Sequence, residues 1–428
     1  MTYFDDRCRY HYVIMSSRNR GVMIMNKQKL IIIGGGASGI LAAIVAHRNN
    51  MDVTVLEKNN RIAKKILATG NGRCNYTNIN TNKNSYNHPE FVEQIINQFP
   101  ATKAVEFFKG LGIEPKVEDF GKAYPMSEQA SSIVDVFLYE IENKNIHVIT
   151  EVLVNEVHKT NNQFDVITSS GQTYHADKVI LATGGKAMPS TGSDGLGYPI
   201  ARKLGHHVTP IFPALVKLKL NSPYLKSMNG VKISSKVELI LDHKVIQEET
   251  GDILFTDYGI SGPTILDLSR KANELLLHKK TPYINVILLD TLERNRVEER
   301  FELAKSKPVD MSLVGLINKR IIPALIKNAG IDKHNTLVSD LTNLELTTLI
   351  DSLFNWKFEL IGSKGFEDAQ VTAGGIDIFE IDPYTLESKI VKGLYFTGEV
   401  MDIDGICGGY NLQWAWSSGY VAAINAAK

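Results

Sequence analysis

A formally neutral chain of 428 residues, 43 % hydrophobic and 22 % charged, has apolar material for about two or three domains. No basic stripe points to nucleic acid as a main partner, and no apolar run reaches the ~18 residues that a membrane-spanning helix needs. Three cysteines, Cys8, Cys74 and Cys407, without CxxC spacing give no disulfide framework and fit a reducing cytoplasm.

The first 25 residues, MTYFDDRCRYHYVIMSSRNRGVMIM, lack the apolar centre of a signal peptide. With Met15, Met23 and Met25 interspersed, they read as a disordered or upstream-extended leader, and the functional chain is expected to start near Met25. A short ordered arm is the alternative, and Cys8 is given no role. Leu30 to Ile33 then form a β-branched and aliphatic run, as expected of a strand buried on both faces. Gly34, Gly36 and Gly39 follow as G-x-G-x-x-G, then a helical stretch to about Asn49, then a second strand, Val53 to Leu56, ending at Glu57. Each part has a mechanical reason in a dinucleotide site. Gly34 permits the tight turn, Gly36 lets the backbone approach a pyrophosphate, and Gly39 lets helix pack on strand. The helix N-terminus favours phosphate, and Glu57 can accept hydrogen bonds from ribose hydroxyls. An acidic residue there disfavours a 2′-phosphate, so the motif reads as an FAD or NAD site rather than an NADP site. A glycine-rich turn in an unrelated α/β fold is the alternative.

The stretch TGNGRCN, Thr69 to Asn75, is poor material for a helix or strand interior. It follows Lys64-Lys65 and the second strand, so it is expected at the carboxyl ends of the sheet, where ligands of doubly wound folds bind. Alone it would read as a surface turn. Residues 146 to 182 read as short strands separated by turns, the last running into Thr183, Gly184 and Gly185, where the backbone comes close to something. Gly192, Gly195 and Gly197 precede a helical pattern from Tyr198 to Leu204.

From about His206 the chain turns β-rich and suggests a small barrel or sandwich. Pro263 suits the first position of a helix, and residues 309 to 360 read as mostly helical. FTDYGISG, Phe255 to Gly262, offers Tyr258 as a proton or hydrogen-bond donor and Ser261 as a hydrogen-bonding group, with a turn at the barrel rim as the equal alternative. His206 and His207 read as surface residues. No metal-ligand spacing is present, so no metal is expected. No second GxGxxG appears, so a nicotinamide donor would visit transiently. Near the C-terminus, Leu394 to Phe396 form a buried strand ending at Thr397-Gly398-Glu399, and Gly408-Gly409-Tyr410-Asn411 open an Ala-, Trp- and Val-rich helix. Such a helix start could stabilise negative charge on a reduced flavin.

On the motifs IIIGGGASGILAA, KKILATGNGRCNYTN, LATGGKAMPSTGSDG, FTDYGISGPTILDLS, VTAGGI and ESKIVKGLYFTGEVMDIDGICGGYNLQWAWSSG, the chain resembles a known family. It is similar to the bacterial YhiN/BaiN-type FAD-dependent oxidoreductases of the glutathione-reductase-like superfamily, often described as NAD(P)/FAD-dependent or aminoacetone-oxidase-like. The resemblance spans residues 31 to 419. It implies an α/β fold: a glutathione-reductase-type FAD/NAD(P)-binding Rossmann-like domain with an inserted β-barrel-plus-helical substrate domain. Domain bounds are expected at 26–205 and 368–428 for the FAD domain and 206–367 for the insert.

The resemblance also implies that Gly34, Gly36, Ser38 and Gly39 lie on the pyrophosphate and Glu57 on the adenosine ribose. Val154 would lie near adenine, and Thr183 and Gly184 near the ADP half. Gly398 and Glu399 would lie near pyrophosphate and ribityl, and Asn411 and Leu412 at the pyrimidine edge of the ring. Ala37, Lys58, Lys65 and Gly185 complete the cofactor candidates. In that setting Gly70 and Gly72 would let the TGNGRCN loop lie close to the flavin, with Thr69, Asn71 and Asn75 bonding its heteroatoms. Arg73 would offset developing negative charge. Arg73, Tyr258 and Asn71 are the catalytic candidates. Cys74 and Cys407 read as pocket-lining thiols, a redox pair being the alternative. The expected activity passes hydride from NAD(P)H through FAD to a small organic acceptor, an enone being the leading class. The rivals are an FAD-dependent amine or amino-ketone oxidase and an RNA-modifying or merely flavin-binding protein. A cytoplasmic protein with a small-molecule substrate, no nucleic-acid or membrane partner and an undetermined oligomeric state is expected.

Overall fold

The computed structural model describes residues 27–428, so the leader expectation and Cys8 fall outside it. The chain opens with β1 (Lys29–Ile33), α1 (Ala37–Arg48) and β2 (Asp52–Leu56). Further on come β3 (His147–Ile149) and β4 (Lys178–Leu181). Leu30 to Ile33 are all buried, as β-branched residues must be in a strand covered on both faces.

The insert supplies β5 (Leu218–Asn221), β6 (Lys232–Leu241), β7 (Lys244–Thr256), β8 (Gly259–Ser261), α2 (Pro263–Leu277), β9 (Tyr283–Ile287) and β10 (Trp356–Ser363). The chain then returns as β11 (Leu394–Phe396) and ends in α3 (Tyr410–Ala426). A parallel sheet runs in the order β11-β4-β1-β2-β3. In the insert, β5-β8-β7-β6-β9-β10 close an antiparallel barrel. Phe212–Ala214, on the way out, pairs antiparallel with Val371–Ala373, on the way back, so one two-stranded ribbon carries the chain into and out of the insert.

Two large cores, with smaller clusters beside them, follow from this layout. One surrounds the parallel sheet, with α1 crossing α3 over Gly419, where a Cβ would stand 2.5 Å from the Ser38 carbonyl oxygen. The other fills the barrel, where Val237, Leu239, Phe255, Trp356 and Phe358 are buried.

Two sequence expectations are corrected here. The helical reading of 309 to 360 fails at its end, because Trp356, Phe358 and Leu360 alternate inward as the strand that closes the barrel. His206 is a core residue and not a surface one. Its Nδ1 lies 3.1 Å from Glu380 and its Nε2 2.8 Å from Ser388, and its ring meets Phe396 edge-on. These partners satisfy the ring, so burial is tolerated. His207, next door, is exposed.

Candidate functional site

The carboxyl end of the parallel sheet, the start of α3 and the insert enclose a cavity of about 640 Å³. Its floor is the glycine turn. Gly34 has φ +106, and a Cβ there would stand 2.5 Å from the Ala182 carbonyl oxygen, so the turn tolerates no side chain. Gly39 is as tightly held, a Cβ falling 2.0 Å from the Gly34 carbonyl oxygen. Gly36 differs, because no protein atom lies within 4 Å of where its Cβ would be. Gly36 lines the cavity with Gly34, Ala37 and Ser38, while Gly39 is absent from the lining and serves packing. No side chain caps α1, so its first-turn amides stay available to an anion.

Glu57 lines the next part of the wall and is buried. One carboxylate oxygen accepts the Gly35 N–H at 2.7 Å, and the other accepts the Asn59 N–H and side-chain amide, both at 2.7 Å. The side chain is therefore fixed before any ligand arrives. Lys58 and Lys65 line the cavity as ion-paired groups, the first with Asp194 at 2.5 Å and the second with Glu399 at 2.8 Å. Val154, Thr183, Gly184, Gly398 and Glu399 also line it, and Gly185 does not. A Cβ on Gly185 would fall 2.4 Å from Thr372 Oγ1, so that glycine serves packing.

The TGNGRCN stretch is a chain of tight turns. Gly70, Asn71, Gly72 and Cys74 all have positive φ. Thr69, Gly70, Asn71, Arg73 and Asn75 line the cavity, while Gly72 and Cys74 do not. The Thr69 hydroxyl donates to the Ile66 carbonyl oxygen at 2.7 Å and so stiffens the turn. Arg73 pairs with Glu118 and, at 3.3 Å, with Glu128, and its guanidinium carbon lies 4.1 Å from the centre of the Tyr124 ring. Its charge is thus largely compensated within the protein. Burial pushes the Cys74 thiol up to about 12 and that of Cys407 up to about 11, so neither is a ready thiolate at neutral pH.

Two further helix starts open on the same cavity. Gly408, Gly409, Asn411 and Leu412 line it at the start of α3, and Ser261, Gly262, Pro263 and Leu266 at the start of α2. Asn411 folds back, accepting the Gly405 N–H at 2.8 Å and donating to the Gly405 carbonyl oxygen at 2.9 Å, which fixes the loop ahead of α3. The Cys407 N–H donates to Asp267 Oδ1 at 2.7 Å and so ties the two helix starts together. Burial raises the Asp267 carboxyl to about 6. Tyr258 is not among the lining residues. It stands near Lys217, which does line the cavity and pairs with Asp368 at 2.9 Å.

Sequence reasoning missed Lys122, Tyr124, Leu215, Lys217, Gln370 and Val371, all of which line the cavity. Val371 opens the VTAGGI motif without having been a site candidate, and the other five lie outside the quoted motifs. Lys122 and Tyr124 come from a short strand, Lys122–Pro125, that reaches the site through pairing with Thr77–Asn78.

The residues fit the dinucleotide expected from the sequence. Among the buried polar side-chain atoms without a hydrogen-bond partner are Thr183 Oγ1, Ser193 Oγ, Asn75 Oδ1 and Arg73 Nε, and all four residues line this cavity. Unmet buried polar atoms are rare in folded proteins, and together they mark a surface built for a polar ligand. Among the described residues, no group of three or more His, Cys, Asp or Glu is placed to hold a metal, and no helix is long and apolar enough to cross a membrane.

Comparison with known proteins agrees in extent with this layout. The sequence profile of the HI0933-like protein Rossmann domain matches residues 28–425. The chain is 41 % identical over 405 residues to a 3-dehydro-bile acid delta(4,6)-reductase of Clostridium scindens, covering 93 % of this chain and 98 % of that one. It is 30 % identical over 410 residues to a ribosomal RNA dihydrouridine synthase of Escherichia coli, again covering 93 % and 98 %. Among solved structures, a 3-ketosteroid-delta4-(5alpha)-dehydrogenase of Rhodococcus jostii RHA1 aligns at a TM-score of 0.48 and 14 % identity, covering 96 % of this chain and 99 % of that one.

Proposed function

The chain belongs to the HI0933-like Rossmann family of FAD-dependent oxidoreductases, and from that premise we propose that it reduces a carbon–carbon double bond conjugated to a carbonyl in a small apolar molecule. NAD(P)H would be the donor, visiting transiently. The observation that carries this reading is the composition of this cavity. One side offers a glycine turn, an uncapped helix and Glu57, which suit a dinucleotide. The other side offers Leu215, Leu266 and Val371, an apolar wall contributed by the insert and its ribbon. Reductase activity on a 3-dehydro-bile acid, named for the relative at 41 % identity, supports an apolar, ketone-bearing acceptor.

Gly36, Ala37 and Ser38 at the start of α1 would hold the pyrophosphate, Glu57 the adenosine ribose, and the loop fixed by Asn411 would bring the start of α3 to the ring. When bound, FAD supplies a two-electron carrier able to take hydride from a nicotinamide and release it to an acceptor. The chain's own residues do the rest. Arg73, compensated by Glu118 and Glu128, orients more than it adds net charge, and its unpartnered Nε is the donor left for a ligand. Asn71, held at positive φ, presents its side chain at the cavity wall. Tyr258, which does not line the cavity, has no part in this scheme.

A second reading is favoured by the ribosomal RNA relative, whose name describes saturation of a uridine. The double bond would then belong to a base within RNA. The formal charge of zero favours the small molecule, because RNA binding rests heavily on cationic surface.

Anaerobic titration of the FAD-loaded protein with NADH and NADPH tests the main reading. Bleaching near ~450 nm is expected, followed by recovery when a 3-oxo-Δ4 steroid is added. Absence of bleaching, in a protein that dithionite still reduces, would make an organic substrate the electron donor and favour the oxidase rival. Recovery with uridine-containing RNA but not with the steroid would favour the second reading.

A further inference from the structure

The start of α2 is left unexplained by cofactor binding. It is fifteen residues long, Pro263–Leu277, and no side chain caps it. Gly262 holds the cap position at φ +108, where a Cβ would fall 2.5 Å from the Asp252 carbonyl oxygen. That glycine cannot be replaced by the serine or aspartate that usually accepts the first-turn amides. Pro263 carries no N–H, and the Ile265 and Leu266 amides already donate to the Gly262 carbonyl oxygen at 3.0 and 2.9 Å, so what the helix end offers is its dipole, with Gly262, Pro263 and Leu266 lining the cavity.

An independent observation sits beside it. Ser261 is only 9 % exposed, lines the same cavity, and its hydroxyl has no hydrogen-bond partner among the described residues. Ser269 on the same helix shows the contrast, since its buried hydroxyl donates to the Leu266 carbonyl oxygen at 2.6 Å. A hydroxyl that meets the cavity and is bonded to no protein group is a donor free for a ligand. Leu215 and Leu266 keep this corner apolar, which strengthens any charge interaction made there. The tie from the Cys407 N–H to Asp267 joins this corner to the loop that leads into α3.

We propose that the Ser261 hydroxyl and the N-terminus of α2 form an oxyanion subsite that binds the carbonyl oxygen of the acceptor. The inference rests on the reductase reading above. In a conjugated ketone, hydride adds with its electron pair to the β-carbon. The double-bond pair shifts to join the α-carbon to the carbonyl carbon, and the carbonyl pair moves onto oxygen. The hydride derives from NAD(P)H, and a proton from solvent then completes the α-carbon. The negative charge appears on the one atom that Ser261 and the helix end would face. Donors aimed at such developing charge act on the transition state more than on the ground state.

A phenolate carries its charge as an enolate does, so 2-naphthol is the probe and 2-methoxynaphthalene its uncharged control. Calorimetry on the FAD-loaded protein, in two buffers of different ionisation enthalpy, reads affinity and proton release together. The native protein should prefer 2-naphthol and release a proton on binding it. Ser261→Ala should weaken 2-naphthol by roughly tenfold or more, as for loss of a hydrogen bond to a charged group, and leave the ether unchanged. Equal affinity in native and variant proteins, equal loss for both ligands, or no preference for 2-naphthol would each overturn the subsite. NAD(P)H bleaching of the same samples separates the two proposals. Bleaching without naphtholate recognition removes the subsite alone, and recognition without bleaching removes the reductase reading alone.

Discussion

Asp267 shows how a single residue couples the site to stability. Its Oδ1 accepts the Cys407 N–H, yet burial outweighs that bond and raises the carboxyl to about 6. A carboxyl raised above its unfolded value contributes stability that is complete below about pH 4 and lost as pH climbs through its folded value. The shift of about two units corresponds to at most roughly 3 kcal/mol. Asp267→Asn keeps an oxygen for the Cys407 amide and removes the titration. Thermal unfolding followed from pH 4 to pH 7 should therefore give a flatter profile in the variant, with the gap between the two proteins closing or reversing toward neutral pH. Parallel profiles would show that Asp267 does not titrate in this window. None of this is visible in the sequence, where Asp267 is one polar residue on an amphipathic helix. Arg73 teaches the same lesson in reverse. Its place in a ligand-facing loop was legible from TGNGRCN, but its neutralisation by Glu118 and Glu128 was not, because those partners come from a separate turn of the chain.

At the scale of elements, the first strand, glycine turn, helix and second strand were legible because each glycine answers a local steric demand. The structure divides those demands. Gly39 faces the Gly34 carbonyl oxygen at 2.0 Å from a built Cβ, whereas Gly36 faces open cavity. Gly39→Ala should lower the melting temperature of the apoprotein, by an overpacking cost of about 1–3 kcal/mol. Gly36→Ala, at φ −79 where alanine is unstrained, should melt like the native apoprotein and yet bind FAD far more weakly. Fluorescence titration with FAD beside apoprotein melting separates the two, and a Gly36→Ala protein with native FAD affinity would place the pyrophosphate elsewhere. Other elements were illegible for a stated reason. Trp356–Ser363 follows a helical stretch without a strong break, and only closure of the barrel makes it a strand. Lys122 and Tyr124 reach the cavity by pairing with Thr77–Asn78, a long-range contact that no periodicity announces. His206 is polar by type and buried by its partners.

At the scale of the whole molecule, the cavity exists only while the insert stays seated on the parallel-sheet core. An ion pair with a buried carboxylate and a partly exposed arginine spans that junction. Arg270, on α2 of the insert, donates through Nε to Asp404 Oδ2 at 2.7 Å, and Asp404 belongs to the loop that leads into α3. Asp404 is 3 % exposed, and its other oxygen has no partner. Asp402 lies close by, held by Thr209 at 3.0 Å and by His88 at 3.6 Å. Arg270→Met keeps most of the side-chain length and removes the charge, leaving Asp404 buried among acids. Breaking such a pair from one side costs about 3–5 kcal/mol. Burial already holds the Asp404 carboxyl above its ordinary range, and Arg270 is the main group pulling it down. Without the arginine the carboxyl rises further, and a raised carboxyl loses stability as pH increases. The melting temperature of Arg270→Met should therefore fall below that of the native protein by more at pH 8 than at pH 5, where Asp404 can take up a proton. FAD affinity at pH 8 should fall with it, because the loop that Asp404 anchors carries Gly408 and Gly409 to the cavity wall. A deficit of equal size at both pH values would mean that the guanidinium's contact with the Phe212 ring, whose centre lies 5.9 Å from its carbon, holds the junction and the ion pair does not.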